Sequence, residues 1–173
     1  DNVNDGTEGL RTTDQFDAYN GAPDRYDWKI VGKREMYVPY NSYKLASKSL
    51  KYKDMIQKNT ANADLLRYEL HRVWEIEATL KAGSKHVYGK RVFFLDEDTW
   101  TVAYADAYDT RKQLWRVGVH PIMQFYDAKV PWYRANIFHD LTNSSYLFSN
   151  LDNEVKTPWK FGEKGKWGDF QPD

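Results

Sequence analysis

Residues 67–80 read RYELHRVWEIEATL, and their pattern decides the fold class. Apolar side chains at even positions alternate with mostly polar side chains at odd positions over more than ten residues. A period of two is typical of a β-strand with one buried face, so we predict a long half-buried strand here. The apolar members are Tyr68, Leu70, Trp74, Ile76 and Ala78, and the polar members are Glu69, His71, Glu75 and Glu77.

Three more strands follow in sequence order. The stretches 81–84, 96–99 and 109–112 have the composition of turns, and the segments between them are rich in valine and aromatic residues. This arrangement predicts a four-stranded antiparallel meander.

Further strands extend the sheet on both sides. The short runs 28–31 and 34–38 are predicted to form an edge pair, and aromatic or branched runs at 123–126, 132–141 and 146–148 are predicted to be strands. We therefore expect a mainly β fold, a strongly curved antiparallel sheet of seven or more strands with one or two short helices.

Four-residue turns would fix the register of the meander, pairing residues 80 with 85, 95 with 100, and 108 with 113. In that register one face is apolar and the other is mostly polar, with alanines at 103, 105 and 107 that would allow close packing. Four aromatic residues are then predicted to line the concave side of the sheet: Trp74, Phe93, Trp100 and Trp115.

The predicted apolar face also carries three charges, Arg72, Arg91 and Asp106. Burying an unpaired charge costs several kcal/mol, so this group must be paired or must meet a ligand. One interpretation is an Arg–Asp bridge completed by tyrosine hydroxyls or by another acid from the tail. The other is a site for an anionic head group, because two arginines against one aspartate leave a surplus positive charge.

The apolar face itself also has two interpretations. It is either an ordinary core closed by the N-terminal arm, a short helix and the aromatic tail, or it stays partly open to bind an apolar ligand. For the open form, the candidate ligand-binding residues are Arg72, Trp74, Arg91, Phe93, Trp100, Tyr104, Asp106 and Trp115.

Composition argues against several functional classes. The 173 residues carry 25 basic and 25 acidic side chains, so zero net charge disfavours nucleic-acid binding. The absence of cysteine excludes thiol catalysis and thiolate metal sites, and the four histidines lack metal-ligand spacing. No nucleotide-binding or nucleophile motif occurs, and no apolar run is long enough for a transmembrane helix. We expect no enzyme activity, no cofactor and no metal.

The chain has the size of one domain. It divides into an irregular arm (1–27), the antiparallel sheet (28–148) and an irregular tail (149–173). It begins at Asp1 without an initiator methionine or a signal pattern, so it is expected to be a mature chain or an excised piece.

Four stretches resemble the bacterial DUF1329 family: NGAPDRYDWK (20–29), YVPYN (37–41), DLLRYELHRVW (64–74) and LWRV (114–117). The resemblance implies a C-terminal portion of a longer, exported periplasmic protein. It also implies a fold similar to lipoprotein carriers of the outer-membrane sorting type, an open half-barrel that holds acyl chains. It supplies no catalytic residue.

Taken together, we expect a non-catalytic periplasmic envelope module that binds lipid, lipoprotein acyl chains or another hydrophobic ligand. The alternative is an interaction module whose sheet face docks an envelope protein partner or the rest of its own chain.

Overall fold

One large antiparallel sheet dominates the computed structural model, which describes residues 7–156 and 159–171. Seven strands form this sheet in the order β1-β4-β5-β6-β7-β10-β11, and two short hairpins, β2-β3 and β8-β9, lie beside it. The sheet order confirms the mainly β fold and the four-stranded meander. The strands are β1 (Tyr26–Pro39), β2 (Ile56–Gln57), β3 (Thr60–Ala61), β4 (Tyr68–Leu80), β5 (Lys90–Asp96), β6 (Val102–Tyr108), β7 (Leu114–Val119), β8 (Ile122–Phe125), β9 (Val130–Tyr133), β10 (Asn136–Asp140) and β11 (Ser145–Ser149).

The helices in the described residues are short. One α-helical turn, α1, spans Tyr52–Met55, and a 3₁₀ turn at Tyr43–Ala46 precedes it. Other 3₁₀ turns lie in the arm at Thr13–Gln15 and Pro23–Arg25, before β4 at Ala63–Leu65, and in the tail at Trp167–Phe170.

The sheet curls so strongly that its edge strand reaches strands it does not pair with. Tyr104 Oη in β6 donates a hydrogen bond of 2.9 Å to the carbonyl oxygen of Tyr37 in β1. Three strand spacings separate β1 from β6, roughly 14 Å in a flat sheet. Beyond the end of β1, the amide of Asn41 donates to the Ile122 carbonyl at 2.8 Å. The sheet is therefore curved toward the side that carries Tyr104.

This curvature distinguishes two faces. The concave face carries Val73, Val92, Phe94, Tyr104 and Asp106. The opposite face is called the arm face here, because residues 7–25 cover part of it; it carries Ile76, Ala78, Arg91, Phe93 and Ala105. The segment between β1 and β4 approaches the concave face at the far end of the sheet, where Tyr146 Oη donates to the Gln57 carbonyl at 3.0 Å.

The turn between β4 and β5 is longer than predicted. β4 pairs with β5 so that Trp74 lies opposite Leu95, and residues 81–89 form the connection rather than 81–84. The shift is an even number of residues, so the faces of β4 and β5 agree as predicted. His86 and Tyr88 belong to this connection, and their strand-like composition explains the wrong turn length.

The predicted register of β5 and β6 is wrong because of a β-bulge. The turn comprises residues 97–100, with Trp100 in a left-handed conformation (φ 59°), and Leu95 pairs with Val102. Phe94 then pairs with Tyr104, so Ala103 is an extra residue. An extra residue reverses the alternation, which puts Tyr104 and later residues on the face opposite to the predicted one.

Two smaller predictions also need correction. The runs 28–31 and 34–38 are not an edge pair: they belong to one strand, β1, with a bulge between Ile30 and Gly32, and that strand pairs with β4. The turn between β6 and β7 comprises residues 110–112 rather than 109–112, with Lys112 left-handed (φ 66°) and a third bulge following.

Small residues on the arm face allow ring side chains to pack against the sheet. Ala105 and Gly118 lie opposite each other on β6 and β7, and the fully buried imidazole of His120 lies over Gly118. His120 Nδ1 and Asn136 Oδ1 are 2.6 Å apart, and the ring packs edge-on against Phe138. The close approach requires glycine at position 118.

We expect Gly118→Ala to destabilise the fold by about 1–3 kcal/mol, because overpacking forces buried rings to shift. A Cβ atom at position 118 would lie 2.6 Å from His120 Nε2. Chemical unfolding measures the loss, and Gly168→Ala is the matched control, since its Cβ would meet no atom within 4 Å. Equal stability of the two variants would contradict the packing assigned to His120.

His120 also predicts a pH dependence of stability. Burial lowers the pKa of His120 from 6.5 to about 4, despite its hydrogen bond to Asn136. The unfolded chain binds this proton below pH 6.5 and the folded chain binds it only near pH 4. Stability should thus fall by about 3 kcal/mol as the pH drops across this window, with no further loss from this group below it.

His120→Asn isolates this contribution, because the asparagine amide can still donate toward Asn136. Unfolding free energies measured from pH 7 to pH 4 should show a shallower slope for the variant than for the natural chain. Parallel curves would contradict a neutral buried histidine at this position.

Candidate functional site

An apolar cavity of about 210 Å³ opens on the arm face. Phe93 is buried at its base, and its ring is stacked on Trp28, with 5.9 Å between ring centroids. Tyr19 from the arm packs edge-on against both rings. The lining residues are Tyr19, Trp28, Ile76, Phe93, Leu95 and Val102.

The bulge at Ala103 makes room for this cavity. Leu95 pairs with Val102, so continued regular pairing would bring Tyr104 opposite Phe93. The extra residue instead brings Ala105 opposite Phe93 and turns Tyr104 to the concave face. An alanine therefore occupies the position where a tyrosine ring would fill the space.

The cavity borders on exposed apolar surface. Ile30 lies opposite Ile76 across the β1–β4 pairing, and 67% of its surface is exposed. Trp28, in the cavity wall, and Val31, next to Ile30, are also exposed. The opening is thus continuous with an apolar strip along β1.

A buried ion pair lies beside the base of the cavity. Only 1% of the surface of Arg91 is exposed, and its Nη1 donates to Asp14 Oδ2 at 2.8 Å. The guanidinium carbon is 5.1 Å from the centre of the Phe93 ring and 4.9 Å from that of Tyr19. The pair therefore joins the arm to the sheet under the aromatic residues.

Further bonds hold the Asp14 carboxylate in place. Thr12 Oγ1 donates to its Oδ1 at 2.5 Å, and His86 Nε2 lies 3.2 Å from its Oδ2. The Tyr88 amide donates to His86 Nδ1, which leaves Nε2 facing Asp14. Burial would raise the pKa of Asp14, but the bond from His86 and the charge of Arg91 outweigh it and hold that pKa well below its usual range.

A second buried ion pair extends the network. Arg116 Nε donates to Asp140 Oδ2 at 3.1 Å, and its Nη1 donates to Tyr88 Oη at 3.0 Å. Tyr88 Oη in turn donates to Gln15 Oε1 in the arm at 2.9 Å. Each of the two arginines has one carboxylate partner, so the network holds no surplus charge.

One cluster in the described residues has side chains of metal-ligand type. His71, Asp96 and Asp98 each offer one atom within 4.8 Å of the others. However, Asp96 Oδ1 is 2.6 Å from His71 Nδ1, and its Oδ2 accepts from the amide and hydroxyl of Thr99. These bonds stabilise the turn after β5 and give the cluster a structural role.

The structure separates the residues predicted to form one site. Arg72 is exposed and pairs with Glu97, so it does not meet Arg91. Asp106 lies on the concave face, and Arg91 pairs with Asp14 instead. The predicted Arg91–Asp106 bridge and the surplus charge are therefore wrong, and the carboxylate that pairs with Arg91 comes from the N-terminal arm rather than from the tail.

The predicted aromatic lining is also distributed differently. Phe93 and Trp74 lie on the arm face rather than the concave face, and only Phe93 contributes to the cavity. Trp100 is in a turn and 66% exposed, and Tyr104 lies on the concave face. Trp115 donates from Nε1 to Asp140 at 2.9 Å, away from the cavity.

Sequence reasoning missed Asp14, Tyr19 and Trp28. Asp14 and Tyr19 lie in an arm without any period, so nothing in the sequence indicated which strands they contact. The predicted partner of the run that contains Trp28 was the run 34–38, whereas both runs belong to β1 and pair with β4. To predict that Trp28 lies beside the apolar end of β4, one would have to know that β1 pairs with β4.

Comparison with known proteins agrees with the four resembling stretches. The family model for "Protein of unknown function (DUF1329)" matches residues 1–173. The chain belongs to the DUF1329 family. It is 50% identical over 165 residues to the uncharacterized protein PA3922 of Pseudomonas aeruginosa, covering 95% of this chain and 36% of that protein. This DUF1329 chain thus spans about a third of the length of that relative.

Three solved structures are similar at low identity. A DUF1329 family protein from Desulfovibrio piger is 16% identical, with 78% of this chain and 43% of that chain covered and a TM-score of 0.46. A putative outer membrane lipoprotein-sorting protein domain from Vibrio parahaemolyticus is 12% identical, with coverages of 79% and 49% and a TM-score of 0.43. A LolA superfamily protein from Nitrosomonas europaea is 15% identical, with coverages of 57% and 51% and a TM-score of 0.37.

In the described part of this DUF1329 chain, none of the helices has the length and apolar character needed to cross a membrane.

We expect Arg91→Met to destabilise the chain by about 3–5 kcal/mol, because it leaves the Asp14 carboxylate buried without its cation. The double variant Arg91→Met with Asp14→Leu should recover much of that loss. Arg72→Met is the control and should have little effect, because Arg72 is exposed. Thermal melts of the natural chain, these three variants and the single variant Asp14→Leu test this, and a loss in the double variant equal to the sum of the two single losses would contradict a coupled pair.

Proposed function

We propose that this chain is a non-catalytic envelope module that binds the apolar end of a hydrophobic ligand in the cavity on the arm face. The observation that carries the proposal is the lining of that cavity: five apolar side chains and the ring of Tyr19, with no charged group. Burial of apolar surface in such a cavity supplies the binding free energy.

The cavity size limits what can enter. Its volume of about 210 Å³ is below the roughly 300–1,000 Å³ of pockets that enclose a drug-sized ligand. A short apolar segment, such as the end of an acyl chain, fits this space. The remainder of the ligand would lie on the exposed strip formed by Ile30 and Val31.

The electrostatics favour a ligand without a charged group near the cavity. Arg91 is the cation nearest to Phe93 among the described contacts, and Asp14 neutralises it. An anionic head group would have to compete with a carboxylate held by several bonds. We therefore propose that affinity follows the apolar portion of the ligand and not its charge.

The same lining supports a non-catalytic role. Tyr19 is its one titratable side chain; burial raises the pKa of its hydroxyl, which donates to the Ala22 carbonyl at 3.0 Å. The buried carboxylates Asp14 and Asp140 are both engaged with arginines. General acid–base catalysis needs a titratable group within hydrogen-bond reach of the substrate, and the cavity offers no group poised near neutral pH.

Placement in the periplasm belongs to the same proposal. It rests on membership in the DUF1329 family, because resemblance to that family implies an exported protein. The similar structure from Vibrio parahaemolyticus, described as a putative outer membrane lipoprotein-sorting protein domain, is consistent with an envelope setting.

Quenching of tryptophan fluorescence by a brominated long-chain fatty alcohol tests the binding site. Trp28 lies in the cavity wall, so bound bromine should quench it, and Trp28→Phe should remove most of the quenching. Ile76→Gln should weaken binding about tenfold, because it replaces buried apolar surface with an amide.

Ile56→Gln is the matched control, since Ile56 is exposed on β2 away from the cavity. The brominated fatty acid of equal length should bind as well as the alcohol. No quenching, or equal affinity of the Ile76 and Ile56 variants, would refute the site, and a strong preference for the acid would refute the proposed neutrality.

A further inference from the structure

Strand β1 pairs with another strand on one side only. β4 pairs with one side of Tyr26–Pro39, and no other strand within residues 7–156 and 159–171 pairs with the opposite side. That side is engaged near its end, where the Tyr37 carbonyl accepts from Tyr104 Oη, and Pro39 has no N–H to donate. Between Tyr26 and Met36, the backbone groups that point away from β4 can be used by another strand.

Several apolar side chains along this edge are exposed. Ile30 is 67% exposed, and Val31 beside it is also exposed. Tyr37, which is 65% exposed, and Leu70 opposite it on β4 form a second exposed apolar pair, beyond the charged residues 33–35. Exposed apolar side chains on an unpaired edge strand favour an interaction site.

The length of the relative indicates where a partner strand would come from. This chain covers 36% of the Pseudomonas aeruginosa protein, so about two thirds of that protein lies outside the matched region. We propose that the free edge of β1 pairs with an extended strand from the part of a DUF1329 protein that lies outside this chain. The large sheet would then continue beyond β1.

Charge disfavours one register in which a second copy of this chain could be the occupant. An antiparallel pairing of two β1 strands centred on Val31 would place Lys29 of one copy opposite Lys33 of the other. Like charges directly opposite each other destabilise a strand pair. A strand with apolar residues beside Ile30 and Tyr37, and without a cation beside Lys29, avoids this repulsion.

Hydrogen–deuterium exchange of two intact proteins tests the proposal: the 173-residue chain and the full-length Pseudomonas aeruginosa relative. In the chain alone, amides of β1 that point away from β4 should exchange rapidly. In the relative, the segment aligned with Tyr26–Pro39 should exchange at least about tenfold more slowly, because those amides are then bonded. The segment aligned with β5, an interior strand, normalises the two experiments.

Equal exchange of the β1 segment in the two proteins would overturn the proposal. Sedimentation velocity supplies the second measurement. The chain should be a monomer, and a dimer that Ile30→Lys dissociates would overturn it, since the occupant would then be a second copy. Both results are independent of the cavity titration, so failure of one proposal can be told from failure of the other.

Discussion

The ion pair between Arg91 and Asp14 determines how the N-terminal arm lies on the sheet. Arg91 is buried on the arm face, and an uncompensated charge there would cost several kcal/mol. Asp14 supplies the compensation from the arm, and Thr12 and His86 orient its carboxylate. Because Tyr19 follows five residues later in the same arm, the pair also brings that ring into the cavity wall. The cavity therefore depends on an electrostatic contact that lies outside it.

A single extra residue, Ala103, has consequences on both faces of the sheet. It turns Tyr104 to the concave face, where its hydroxyl bonds to the backbone of β1 and stabilises the curl. It also brings Ala105 rather than a tyrosine opposite Phe93, which leaves the cavity open. Curvature and cavity are thus two results of one bulge, which is consistent with the frequent occurrence of bulges at functional sites.

The sequence predicted what depends on local alternation. The period of two in residues 67–80 predicted β4, and valine and aromatic content predicted the meander that follows it. The same alternation correctly assigned Arg91 to a face where it needs a carboxylate partner. The partner itself could not be predicted, because Asp14 lies 77 residues away in an arm without periodicity. The bulge at Ala103 could not be predicted either, because alanine is compatible with both regular and bulged pairing. This bulge alone places Asp106 on the face opposite to Arg91.

The cavity and the free edge of β1 share residues, so their properties are coupled. Trp28 lines the cavity and belongs to β1, and Ile30 lies between the cavity opening and the free edge. A strand added to β1 would extend the arm face beside these two side chains and bury part of the exposed strip. The apolar surface that a ligand could contact at the opening would then depend on whether the edge of β1 is paired, while the sheet behind the cavity stays the same.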